Sequence, residues 1–65
     1  MHGIVKWFSP QKGFGFIIAD NNNEYFVHYS SIISDGFKTL RKGQAVTFSI
    51  GKNDRGEFAD KVELA

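Results

Sequence analysis

Five short β-prone runs, each closed by turn-forming residues, constrain this chain more than any other feature of its sequence. Residues 4–8 are apolar and β-prone, and Ser9-Pro10-Gln11-Lys12-Gly13 follows as a turn. A second strand is predicted over 14–18, and Asp20-Asn21-Asn22-Asn23 is a dense turn cluster. A third is predicted over 24–29. Residues 46–50 alternate apolar and polar at period two, the pattern of a half-buried strand. Gly51-Lys52-Asn53-Asp54-Arg55-Gly56 reads as a turn, and 58–64 as the last strand. The longer connection, 30–44, has room for one helical turn near 30–34 and for no helix of useful length. Five short strands at this spacing, with no helical period, predict an all-β domain, a small antiparallel barrel or sandwich.

The chain has 65 residues, enough for one domain over 1–65. A domain of this size buries only about 60% of its unfolded surface, so low stability is expected. There is no cysteine, hence no disulfide or thiolate metal site, which favours a reducing interior. No apolar run approaches the roughly 20 residues a spanning helix needs. The start, Met1-His2-Gly3-Ile4-Val5-Lys6, lacks a basic segment followed by a long apolar stretch, so no signal peptide and a cytoplasmic location are expected. Eight Lys and Arg against seven Asp and Glu give a net charge of only +1, short of the strongly basic balance of a phosphate-dominated duplex binder. The aromatic count is the unusual one: seven Phe, two Tyr and one Trp, eight of the ten within residues 7–37. So small a core does not readily hold ten rings. Some are expected outside, and clustered exposed aromatics mark a binding site.

Alternation locates that cluster. Phe14 and Phe16 share one face of the second strand, with Gly13, Gly15 and Ile17 on the other. Glycine inside a strand permits a bend or a close backbone approach. Two readings follow: both rings are core at a sharp barrel bend, or both are displayed outward; the second is adopted. Phe26 and His28 share a face of the third strand, and Val27 takes the core side. Trp7, beside Lys6, extends the cluster, although strict alternation would place it with buried Val5; a bulge in the first strand would resolve the conflict. Such a surface suits single-stranded nucleic acid, because every base has a π-face and each stack is worth about 1–3 kcal/mol. Lys6, Lys12, Lys38, Arg41 and Arg55 are candidates for the phosphate contacts. The core is expected to comprise Val5, Ile17, Val27, Ile32, Leu40, Val46, Phe48, Ile50 and Val62.

Lys12-Gly13-Phe14-Gly15-Phe16-Ile17 and Tyr25-Phe26-Val27-His28-Tyr29 look like the two ribonucleoprotein motifs that RNA recognition motifs and cold-shock domains carry in different versions. The first of these folds needs two helices. With Val5-Lys6-Trp7-Phe8 before and Gly36-Phe37-Lys38-Thr39-Leu40 after, the chain resembles the bacterial cold-shock proteins from end to end. The resemblance implies an OB-fold, a five-stranded Greek-key barrel binding oligonucleotides on one face. It also implies an RNA chaperone, sometimes a transcription antiterminator, acting on single-stranded RNA and DNA. The family's binding residues carry over to Lys6, Trp7, Lys12, Phe14, Phe16, Phe26, His28, Tyr29, Phe37, Lys38 and Arg55, with Tyr29 in place of the usual Phe. Other departures are Ser9 for Asn, Tyr25 for a small apolar residue (parity points it inward), Glu57-Phe58 for Pro-Gln, and Asp60-Lys61 for Ala-Asn.

Phe58 lies beyond the family pattern. It is either core, sharing Val62's side, or displaced outward beside Arg55 as a further stacking position; the second is preferred because the preceding turn breaks the register. Other chemistries find little support. His28 and His2 are too few ligands for zinc. Asp20, Asn22 and Glu24 loosely resemble a calcium loop, but Tyr25 stands where that loop needs glycine. Ser30 and Ser31 follow His28 without an acidic partner. No enzyme, cofactor, metal, membrane or small-molecule substrate is therefore expected, and nothing demands more than a monomer. A peptide-binding barrel of the SH3 type is the rival, but lysines rather than acids flank the rings and favour an anionic ligand.

Overall fold

The computed structural model describes residues 1–34, 36 and 38–65. Its strands are β1 (His2–Ser9), β2 (Phe14–Ala19), β3 (Glu24–His28), β4 (Ala45–Asn53) and β5 (Gly56–Leu64), with one 3-10 turn at Tyr29–Ser31. They close into a barrel in the order β1-β2-β3-β5-β4, with β4 returning to β1. The all-β, five-stranded Greek-key barrel expected from the sequence is the fold observed. Four of its pairings are antiparallel, and the seam that closes it, β3 on β5, is parallel. A second parallel bridge, Ile32 with Val62, continues that seam below the 3-10 turn.

Alternating residues fill the interior. Val5, Ile17, Ala19, Tyr25, Val27, Ile32, Leu40, Val46, Phe48, Ala59 and Val62 form one buried cluster, with Phe8 packed against it. Tyr25 does point inward, at 5% exposure, and its ring meets Phe48 at 5.7 Å. Ile50 departs from the expected core: it is 40% exposed. It keeps the inward parity of its partner Ala59, but β1 begins opposite Phe48, where the backbones of Met1 and Phe48 bond at 2.8 Å. Beyond that point β4 pairs with no strand on its β1 side among the described residues, so Ile50 projects past the closed wall. The predicted turn at 51–56 is likewise shorter than expected. β4 and β5 stay paired to Asn53 and Gly56, leaving Asp54 and Arg55 at the tip.

Two bulges set which side chains reach the surface. In β1, Val5 pairs with Ile17 and Trp7 with Phe16, so Lys6 is the extra residue. The bulged stretch is held from the other side by the end of the long connection, Val5 N donating to the Gln44 carbonyl (2.9 Å) and Gly43 N to the Val5 carbonyl (2.8 Å). In β5, Thr47 pairs with Glu63 and Ser49 with Asp60, so β5 carries one residue more than β4 across this interval. Lys61 there takes φ +50°, and its N–H is met by Asp60 Oδ1 at 2.9 Å. Ala59 and Val62, three apart, can therefore both face the core.

Candidate nucleic-acid interface

The bulge at Lys6 turns Trp7 out of the core. Val5 is buried, Trp7 is 38% exposed, and the indole stands over Phe16 of β2. Gly15 makes this possible. A Cβ built there would collide with the Trp7 carbonyl oxygen and lie 2.6 Å from Phe8 Cα, so only glycine admits the bulged strand so close to β2. The glycine between the two phenylalanines is thus a packing requirement of the displayed face.

On that face the rings touch in a closed circuit. Trp7 lies 5.8 Å from Phe14 and 5.5 Å from Phe16; Phe26 lies 5.6 Å from Phe14 and 5.9 Å from Phe16. Tilted and edge-on contacts at this distance are each worth about 0.5–1.5 kcal/mol beyond buried area. The circuit therefore fixes its own rings while leaving them open to solvent, Phe26 at 37% exposure and Phe14 and Phe16 half-buried. The outward reading of the two phenylalanines is the one the structure supports.

His28 stands opposite Phe14 in register. Its Nδ1 accepts the Ser30 N–H at 3.3 Å and lies 2.9 Å from Ser30 Oγ. Ser30 thus holds the imidazole at Nδ1, whereas sequence reasoning weighed it only as a hydroxyl without an acidic partner; a His-x-Ser spacing at a strand end, the pattern of a capped turn, is the signal that could have found it. Tyr29 follows at 4.5 Å from the His28 ring and is exposed.

Cations border the rings unevenly. Lys12 and Lys38 line one groove with Pro10, Gly13 and Tyr29. Lys12 is held at the turn where its N–H meets Ser9 Oγ at 3.3 Å, so serine at position 9 still supplies an acceptor. Arg55 lies at the opposite edge with Phe26 and Phe58. Lys6 is half-exposed and paired with Glu24 at 3.1 Å, a solvent-screened contact worth at most about 1 kcal/mol. Arg41 stands apart, lining a different groove with Leu40, Glu63 and Leu64. Phe37 lies outside the described residues. Phe58 is half-buried and on the outer side, since its neighbour Ala59 is fully buried.

A closed five-stranded barrel with a solvent-facing aromatic circuit, edged by lysine and arginine, defines a nucleic-acid-binding module of the OB type. Its sequence matches the 'Cold-shock' DNA-binding domain over residues 1–65, and the chain belongs to that family. It is similar to cold shock protein 1 of Lactiplantibacillus plantarum, 52% identical over 61 residues covering 94% of this chain and 92% of that protein. Cold shock protein CspC of Bacillus subtilis is 51% identical over 63 residues, 97% of this chain and 96% of the relative. Cold shock protein CspA of Staphylococcus aureus is 52% identical over 60 residues, 92% and 91% respectively.

Proposed function

We propose that the domain binds single-stranded RNA and DNA by stacking bases on Trp7, Phe14, Phe16, Phe26 and His28, with Tyr29 and Phe37 continuing the surface. Lys12, Lys38 and Arg55 meet phosphates at its edges, and Lys6 does so once it leaves Glu24. In the cytoplasm such binding keeps transcripts unstructured, the role of an RNA chaperone, and opens terminator hairpins during transcription. The protein acts as a monomer and catalyses no reaction.

The ring circuit is the observation that carries this reading. Three or four stacks at about 1–3 kcal/mol each supply useful affinity even after the cost of ordering the strand, and they do so at low net charge. Duplex DNA hides its base faces and would leave the rings without partners. The test is titration by Trp7 fluorescence with oligothymidylate, oligouridylate, a duplex of equal length and a proline-rich peptide. Quenching by both single strands, with weak response to the duplex and none to the peptide, is expected. Preference for the peptide would replace this function with that of a protein-interaction module.

A further inference from the structure

On β5 the outer face carries an aromatic residue that the circuit does not use. Trp7 on β1, Phe16 on β2, Phe26 on β3 and Phe58 on β5 are register partners in turn, Trp7 with Phe16, Phe16 with Phe26, and Phe26 with Phe58. They form a single row across four adjacent strands, which lie about 4.8 Å apart. Phe58 pairs onward with Gly51 of β4. A Cβ at Gly51 would come 2.5 Å from Phe58 Cζ and 2.8–2.9 Å from both Cε atoms, so the ring lies over the bare backbone of that glycine. One side of the ring is supported there. Its surroundings form an open groove of about 360 Å³ shared with Phe26, Asn53, Arg55, Gly56 and Glu57.

Two features of the chain bring the ring to this place. The bulge at Lys61 shifts parity, so that Ala59 rather than Phe58 faces inward. The two-residue tip then sets Arg55 beside the ring, its N–H bonded to Asn53 Oδ1 at 2.9 Å. Arg55 forms no ion pair among the described residues. A flat apolar ring with a cation at its rim is the pairing that a base and its phosphate require.

We propose that Phe58 is a fourth stacking position in this row, taking one further base of a longer single strand across the β3–β5 seam, with Arg55 on the adjoining phosphate. The proposal rests on the single-strand reading above. It names a base by its π-face alone, because Phe58 offers no hydrogen-bond donor or acceptor; the added position is tolerant of sequence. Its effect is to lengthen the site.

The experiment compares the parent with Phe58→Gln and Phe58→Leu, using oligothymidylates from about four to about ten nucleotides. Leucine keeps apolar cover on Gly51 without a π-face, so it separates stacking from packing. Expected is equal affinity of all three proteins for the shortest strand, and a loss of about five- to twentyfold in both variants once the strand reaches β5. Melting temperatures of parent and Phe58→Leu should agree within a few degrees. Equal affinities at every length, or a loss at every length together with a lower melting temperature in Phe58→Leu, would overturn the proposal. Failure of the parent to bind any strand would remove the single-strand reading itself, a distinct outcome visible before any variant is compared.

Discussion

His28 shows how one residue's role is set by its neighbours. The Ser30 hydroxyl and backbone N–H both converge on Nδ1, holding the imidazole beside Tyr29 and next to Phe14. A ring held before the ligand arrives loses less freedom on binding. Ser30→Ala removes the hydroxyl and keeps the backbone donor. A hydrogen bond of about 0.5–1 kcal/mol then goes, and binding should weaken by about two- to fivefold. His28→Ala removes the stack as well and should cost more. Equal affinity of Ser30→Ala and parent, measured by fluorescence titration, would mean that other contacts orient the ring. The faces of Phe14, Phe16, Phe26 and His28 were legible from alternation alone, because β2 and β3 run without a bulge. Ser30 was not, since a short polar side chain declares its partner only once the turn is built.

At the scale of the element, the two bulges separate what alternation could predict from what it could not. The conflict at Trp7 pointed to a bulge in β1, because a tryptophan and a valine could not share the inward side so close to the cluster. Nothing comparable flagged Lys61; the polar run Asp60-Lys61 reads as an ordinary outward stretch, and the expected register break lay instead in the turn before Phe58. Ile50 escaped for a different reason, because where a wall ends depends on the partner strand and not on the strand itself. The bulge at Lys61 leaves a mark that can be measured. A non-glycine residue at φ +50° costs about 1–2 kcal/mol, and asparagine tolerates that region better than lysine. Lys61→Asn should stabilise the domain by roughly 1 kcal/mol and raise Tm by roughly 4–8 °C. An unchanged or lower Tm in thermal denaturation would show that Lys61 carries no such strain in solution.

For the whole molecule the question is whether rings or charges dominate binding. A net charge of +1, one of the bordering cations already paired, and Arg41 on another groove leave few phosphates to neutralise. With roughly 3–4 neutralised, log K against log salt should fall with a slope of about −2 to −3. A slope several times steeper would assign the affinity to phosphate contacts. The barrel class followed from strand spacing, and the face from alternation. Its closure by a parallel seam depended on a pairing between residues 26 and 58, too distant in sequence for any local pattern to announce.

The central claim is that the Trp7–Phe14–Phe26–Phe16 circuit is a binding surface and not a misplaced core. Its most direct test is Phe14→Ala, Phe16→Ala and Phe26→Ala, each measured for both stability and affinity at a temperature where all remain folded. Among the described residues each ring has two ring contacts within the circuit, so some loss of Tm is expected. A folded β-barrel by circular dichroism is expected in every variant, with affinity for oligothymidylate reduced by about 1–3 kcal/mol. Variants that form no β-barrel at any temperature, or that stay folded and bind as the parent does, would contradict it.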